Sequence, residues 1–152
     1  MKVLVDSCVW SLALRRKKGL AGMKPDEARL VSVLREGIKD GRVEIVGPIR
    51  QEVLSGVKHA DQFEKLCQHL TPFPDAAIES EDYVQAARLD NLCRAAGVHC
   101  GEVDMLLCAI VVRHGWTVLT NDAGLIRCIE VVEREVIEPN PARKGQRLLE
   151  IV

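Results

Sequence analysis

The fold is decided by the stretch KVLVD at residues 2–6, in which three consecutive aliphatic residues end at an aspartate. A short apolar run of this kind predicts a strand that is buried on both faces, as in a parallel sheet covered by helices. Two similar runs, VEIV at 43–46 and WTVL at 116–119, predict two more strands. The sequence therefore predicts an α/β fold in which β-α-β crossovers build a mainly parallel sheet.

The segments between these strands show helical spacing of apolar residues, with typical helix start and stop signals at their ends. Ser80 is predicted to cap the longest of these helices. Residues 131–137 are ambiguous in pattern and are compatible with a last strand. The predicted helices cover residues 7–14, 25–40, 48–54, 60–70, 80–96 and 102–114.

Length and composition indicate one domain. The chain has 152 residues, of which 47% are hydrophobic and 3% aromatic, so it can bury a full aliphatic core. We predict a domain over residues 1–140 and a tail over 141–152 that is partly ordered through its apolar residues. No stretch approaches the roughly 18 to 20 uncharged apolar residues that span a bilayer, and no signal peptide precedes the first strand. These features predict a cytoplasmic protein that does not contact membranes.

The six cysteines include no C-x-x-C pair and mostly lie in apolar runs, where a thiol behaves as a small hydrophobic group. We therefore expect reduced cysteines in the core. A zinc site at Cys93, His99 and Cys100 would have a spacing that fits no common ligand pattern.

Charge does not decide the function. A net charge of −1 gives no overall basic field that would attract nucleic acid. The basic run RRKK at residues 15–18 is typical of a solvated loop, and beside an active site it could also contact phosphates.

Four acidic residues form the candidate site. Asp6 and Asp122 each follow an apolar strand, and Glu52 and Asp104 lie near the starts of predicted helices. Each acid alone has an ordinary structural explanation: Asp6 and Asp122 as helix N-caps, Glu52 as a solvent-facing helix residue, and Asp104 as an acid in a first helical turn. Parallel strands, however, end at a common edge of the sheet, and that edge is where ligands bind in such folds.

Four carboxylates at one edge would repel one another and raise each other's pKa values unless a cation lay among them. An oxygen-only set of ligands suits Mg²⁺ or Mn²⁺ rather than zinc. A divalent ion in such a site can orient a water, lower its pKa and neutralise a phosphodiester. The expected chemistry is phosphodiester hydrolysis.

Four pieces of the sequence, in order, carry a resemblance to a known family: VDSCVW at 5–10, RQEVL at 50–54, VDMLLCA at 103–109 and LTND at 119–122. With them the chain resembles the PIN domain, and in particular the VapC toxins of bacterial and archaeal toxin-antitoxin pairs. The resemblance extends over about the first 140 residues. It implies a three-layer α/β/α sandwich with a mainly parallel central sheet.

The resemblance also implies an activity and partners. Asp6, Glu52, Asp104 and Asp122 would be the catalytic acids of a Mg²⁺-dependent endoribonuclease, and Asp6, Asp104 and Asp122 would bind the metal. Thr120 would hold the site by hydrogen bonding, with Ser7 and Asn121 assisting. The family further implies a homodimer, an antitoxin protein that blocks the site, and an RNA substrate such as tRNA, rRNA or mRNA. The basic run and the basic tail after residue 139 have no counterpart in the pattern.

Other functions stay open. A small-molecule phosphatase with Asp6 as nucleophile would resemble the haloacid dehalogenases, but these usually place a second aspartate two residues later, where this chain has Cys8. A non-catalytic PIN-like binding module is a further alternative, although the presence of all four acids argues against it. Dinucleotide binding is disfavoured because neither G-x-G-x-x-G nor G-x-x-x-x-G-K occurs.

Overall fold

A computed structural model describes residues 1–15 and 20–152 of the chain. Most of the basic run, residues 16–18, lies outside the described residues. The interpretation of that run as a loop or a phosphate contact therefore stays a prediction.

The described part of the chain contains a three-stranded parallel sheet in the order β2-β1-β3. Its strands are β1 (Val3–Val5), β2 (Val43–Glu44) and β3 (Thr117–Leu119). Val3 of β1 is paired with β2 on one side and with β3 on the other, so β1 is the central strand. The predicted mixed α/β fold with a parallel sheet is confirmed.

Seven α-helices lie in the described residues, and six of them match predicted segments to within two residues at each end. The fifth helix begins at Ser80, but its N-cap is Glu79, so the prediction that Ser80 caps it is wrong. Its first turn is closed instead by the carboxylate of Asp82, which accepts a 2.9 Å hydrogen bond from the backbone N–H of Glu79. The helices are α1 (Ser7–Leu14), α2 (Pro25–Lys39), α3 (Gly47–Leu54), α4 (Ala60–Leu70), α5 (Ser80–Ala95), α6 (Glu102–His114) and α7 (Ala123–Val132).

The strand considered for residues 131–137 is wrong. Helix α7 covers the first part of this segment and continues as a short π-helical turn, Glu133–Ile137. Leu125, Cys128, Ile129 and Val132 recur at helical spacing and are all fully buried. The β-branched residues of the segment favour a strand locally, but burial of one helical face outweighs that preference.

The expectation of six reduced cysteines is also wrong. Cys100 and Cys128 form a disulfide, with Cα atoms 6.7 Å apart and a sequence separation of 28. Cys100 precedes α6 and Cys128 lies within α7, so the bond links these two helices. Spacing alone cannot reveal such a pair, because the cysteines approach only when both helices pack against the core.

Single bridges extend the sheet at both edges. Ile45 is bridged to Asp75 beside β2, and Val118 of β3 is bridged to Leu149, both in parallel orientation. The backbone N–H of Val118 donates to the carbonyl of Leu148 at 2.7 Å, and the side chain of Leu148 is fully buried. The C-terminal tail is therefore attached to the sheet next to β3.

The helices pack in two groups. Helix α1 contacts α2 and α3, and α3 contacts α4, while α5, α6 and α7 contact one another in every pairing. The hydrophobic core contains β1, the apolar residues of β3 and most of α6, and the half-buried Val43 of β2 packs against it. Within the described residues, no helix has both the length and the apolarity needed to cross a bilayer.

Candidate functional site

Asp6 is a buried acid with both carboxylate oxygens engaged. It follows β1 directly, and its backbone N–H donates to the carbonyl of Leu119 at 3.0 Å, which fixes it beside the end of β3. As the N-cap of α1 it accepts a 2.8 Å hydrogen bond at Oδ1 from the backbone N–H of Ser7. Its side chain is only 5% exposed. This acid is held rigidly at the carboxyl end of the central strand.

Thr120 connects Asp6 with Asp122. The hydroxyl of Thr120 donates to Oδ2 of Asp6 at 2.7 Å and accepts from the backbone N–H of Asp122 at 3.0 Å. Asp122 in turn caps α7, where its Oδ1 accepts from the backbone N–H groups of Gly124 at 2.8 Å and Leu125 at 3.3 Å. The ends of β1 and β3 thus present two aspartates joined through one buried hydroxyl.

Glu52 reaches the same place from α3. Its Oε2 accepts a 2.8 Å hydrogen bond from the hydroxyl of Ser7, the residue whose backbone N–H bonds to Asp6. The side chain of Glu52 is exposed. One serine therefore connects the helix-borne glutamate with the strand-end aspartate.

Asp104 completes the group from the first turn of α6. Burial and the negative charges of Asp6, Asp122 and Glu52 together raise the pKa of its carboxyl to about 6. A hydrogen bond with the backbone of Gly101 opposes these effects only in part. Asp104 therefore lies within electrostatic range of the other three predicted acids, although the four come from distant parts of the sequence.

The donor set fits a divalent cation of the Mg²⁺ type, because every side chain in it offers only carboxylate oxygens. Within residues 1–15 and 20–152, however, no three acidic, histidine or cysteine side chains stand close enough together to form a ready-made metal site. The reason lies in the hydrogen bonds above: oxygens of Asp6, Asp122 and Glu52 are turned toward protein donors. Their mutual repulsion also favours separation of the charges.

Ser7 and Thr120, which were predicted to support the site, both hydrogen-bond to acids of the group. Asn121 is exposed, and in the described part of the chain its side chain makes no hydrogen bond to them.

Cys8 was missed as a site residue. Its thiol lies 3.5 Å from Oδ2 of Asp6 and 3.5 Å from the hydroxyl of Thr120. Burial and the charge of Asp6 raise the pKa of this thiol, so it stays protonated and can donate to the carboxylate. Its position two residues after Asp6, at the start of a helix, was the only signal in the sequence.

A groove of about 770 Å³ opens beside the acids. It runs between α3, α5 and the start of α6, and its walls include Gln51 and Val103, the chain neighbours of Glu52 and Asp104. Tyr83, Arg94 and His99 lie on its walls as well. None of the four acids lines this groove, which approaches them only through these chain neighbours.

Comparison with known proteins identifies no relative: no family model matches the chain, and no curated protein matches it either.

Proposed function

We propose that this protein is a divalent-cation-dependent endoribonuclease with a PIN-like three-layer α/β/α fold. The observation that carries the proposal is the pKa of Asp104, which burial and the charges of Asp6, Asp122 and Glu52 together raise to about 6. Four carboxylates that disfavour one another's charge create a demand for a cation. Two groups of helices with a parallel sheet in the core are compatible with three layers.

The residues divide into ligands and supports. Asp6, Asp104 and Asp122 would hold Mg²⁺ or Mn²⁺, with Glu52 acting directly or through a water. The ion would lower the pKa of a bound water and neutralise charge on the phosphodiester. Thr120 fixes the orientation of Asp6 and the backbone of Asp122 together, and Ser7 holds Glu52 close to Asp6. Glu52 is exposed enough to accept a proton from an attacking water.

The test is cleavage of a defined RNA by the purified protein with Mg²⁺, with Mn²⁺ and with EDTA. We expect cleavage only with a cation, and we expect Asp6→Asn to reduce the rate by at least about a hundredfold, since even partners of metal ligands typically contribute ten- to a hundredfold. The matched control is Asp61→Asn, which removes an exposed acid from the first turn of α4 and should leave the rate unchanged.

The same experiment separates the alternatives. A non-catalytic binding module would bind RNA without new RNA ends in any metal. A phosphatase would hydrolyse a small aryl phosphate, and RNA would stay intact. Cleavage that resists both EDTA and Asp6→Asn would contradict the proposed role of the acids.

The remaining features of the proposal derive from the resemblance to VapC toxins alone. They are a cytoplasmic homodimer, an antitoxin protein that covers the site, and tRNA, rRNA or mRNA as substrate. Growth arrest on expression of the wild type, but not of Asp6→Asn, would be the corresponding cellular result.

A further inference from the structure

We propose that Arg127 binds a phosphate of the RNA next to the one that is cleaved, and that it thereby positions the substrate at the four acids. This inference rests on the proposed function and adds a substrate-binding residue to it. The need for such a residue follows from charge: a strand of phosphates approaching four carboxylates is repelled, and a cation at the edge of the site offsets that repulsion.

Helices α3, α6 and α7, which follow or carry the acids, each contain one arginine. The guanidinium groups of two of these three arginines already form hydrogen bonds within the protein. Arg50 of α3 donates to Asp75 and to the carbonyls of Leu70 and Phe73, which fastens the loop after α4. Arg113 of α6 donates to both oxygens of Asp82 at the far end of that helix. Neither guanidinium is free to bind a ligand.

Arg127 of α7 differs from both. It is exposed, and among the described residues its guanidinium makes no hydrogen bond or ion pair. It lies five residues after Asp122, over the first turn of α7. A Cβ placed on Gly124 would lie 4.0 Å from Nη2 of Arg127 and 3.2 Å from Oδ1 of Asp122, so both side chains flank the same point. The guanidinium thus stands near Asp122, and in the described part of the chain it forms no ion pair with that acid.

A phosphate is the ligand that suits this position. Guanidinium presents paired N–H donors that match two oxygens of one phosphate group, and such charge-assisted bonds are among the strongest in proteins. The start of α7 adds a partial positive charge on the same side. A single arginine that is unpaired in the free protein loses no internal ion pair when it binds.

The experiment compares Arg127→Gln with Arg134→Gln. Arg134 lies seven residues further along the same helical run, is exposed, and among the described residues pairs only with the neighbouring Glu135. Its variant therefore removes the same charge at about 10 Å greater distance along the axis. With a labelled RNA hairpin and Mg²⁺, we expect Arg127→Gln to raise KM by roughly ten- to a hundredfold, the usual range for a lost charged hydrogen bond, with little change in kcat. Arg127→Lys should recover part of the loss.

Salt dependence supplies a readout that a structural role would not change. Binding is measured in the Asp104→Asn background, where the RNA stays uncut, at several salt concentrations. Loss of one phosphate contact should reduce the slope of log Kd against log salt by about 0.7 to 0.9. Arg134→Gln should leave the slope unchanged.

The possible results distinguish failure of the role of Arg127 from failure of the proposed function. If Arg127→Gln and Arg134→Gln behave alike, or if Arg127→Gln lowers kcat at constant KM, the role of Arg127 is overturned while the proposed nuclease stands. If the wild type cuts no RNA, the proposed function fails and this inference fails with it.

Discussion

The two ends of helix α6 handle buried negative charge in opposite ways. At its C-terminal end Arg113 donates two hydrogen bonds, at 2.7 and 2.8 Å, to Asp82 of α5, which is only 1% exposed. Burial raises the pKa of Asp82, but the bonds from Arg113 and from the backbone of Glu79 outweigh it and hold that pKa below its usual value. At the N-terminal end, Asp104 faces three acids, and its pKa lies far above the usual value, at about 6.

This difference separates the end of the helix where the protein neutralises its own acid from the end that, under the proposed function, would bind a cation. Asp82 is neutralised by the protein itself, so nothing more is needed for it to be stable in its ionised form. Asp104 is left with a repulsion that its own protein does not relieve. Native proteins tolerate such unfavourable sites mainly where they bind or react, and the stability lost there must come from other parts of the structure.

The largest effect on stability is expected from loss of the disulfide, which lies near the Asp104 end of α6. The disulfide between Cys100 and Cys128 closes a loop of 28 residues, for which the chain-entropy relation gives about 3 to 4 kcal/mol of stability. We expect dithiothreitol, or Cys100→Ser, to lower the free energy of unfolding by about that amount in urea titrations.

Cys67→Ser provides the control, because Cys67 is free and partly exposed and should change stability little. Thiol titration of the denatured, unreduced protein should count the four free cysteines, Cys8, Cys67, Cys93 and Cys108. A count of six thiols would show that the disulfide does not form. Cys100→Ser would then not be expected to lower stability through loss of a disulfide.

A slightly smaller effect is expected at the opposite end of α6. Arg113→Met leaves the carboxylate of Asp82 buried without its cationic partner, which typically costs 3 to 5 kcal/mol when the pair is fully buried. Because the side chain of Arg113 is 30% exposed, we expect about 3 kcal/mol at pH 7. The pair stabilises the fold above the unfolded pKa of about 4, and its contribution is lost as pH falls through the lower folded pKa.

Arg88→Met tests whether burial of Asp82 is the cause of the stability loss expected for Arg113→Met. Arg88 pairs with Glu81 at 3.3 Å, but both side chains are more than 60% exposed, so removal of this pair should cost less than about 1 kcal/mol. Equal losses from the two variants in urea unfolding at pH 7 would mean that burial of Asp82 is not what gives the Arg113 pair its strength.

The acids of the candidate site and the side-chain partners that join different helices were not equally predictable from the sequence. Asp6 and Asp122 could be located because an apolar strand ends directly before each, and parallel strands end at one edge of a sheet. Helices such as Ser7–Leu14 and Glu102–His114 could be bounded from apolar spacing and from the glycine that follows the latter. The sequence pattern was sufficient to predict those features that depend only on a residue and its neighbours along the chain.

The ion pair of Asp82 with Arg113 and the disulfide of Cys100 with Cys128 could not be read in the same way. Both join residues about 30 positions apart whose meeting depends on how α5, α6 and α7 pack. The sequence also could not show that Ser7 bonds to Glu52, since this contact needs the angle between α1 and α3. Side-chain partners across helices are set by packing, which a single sequence does not display.

The smallest effect, and the one that bears most directly on the comparison, is expected at Asp104. With a folded pKa of about 6 against an ordinary value of 3.8, the folded protein keeps a proton between about pH 4 and 6 that the unfolded chain has released. Stability of the metal-free wild type should therefore fall as pH rises through this window and level off above it. Asp104→Asn should lack this fall and be more stable at pH 7.

Because Asp104 is partly exposed, the gain in Asp104→Asn should be about 1 to 2 kcal/mol rather than the roughly 3 kcal/mol that the full pKa difference implies. It is measured by urea unfolding in EDTA from pH 4 to 7.5, with Asp61→Asn as the control for loss of an exposed acid. Mg²⁺ should then stabilise the wild type more than Asp104→Asn, since the ion relieves a repulsion that the variant no longer has. Identical pH dependence of wild type and Asp104→Asn would mean that neither burial nor the neighbouring carboxylates raise the pKa of Asp104, and the contrast between the two ends of α6 would be lost.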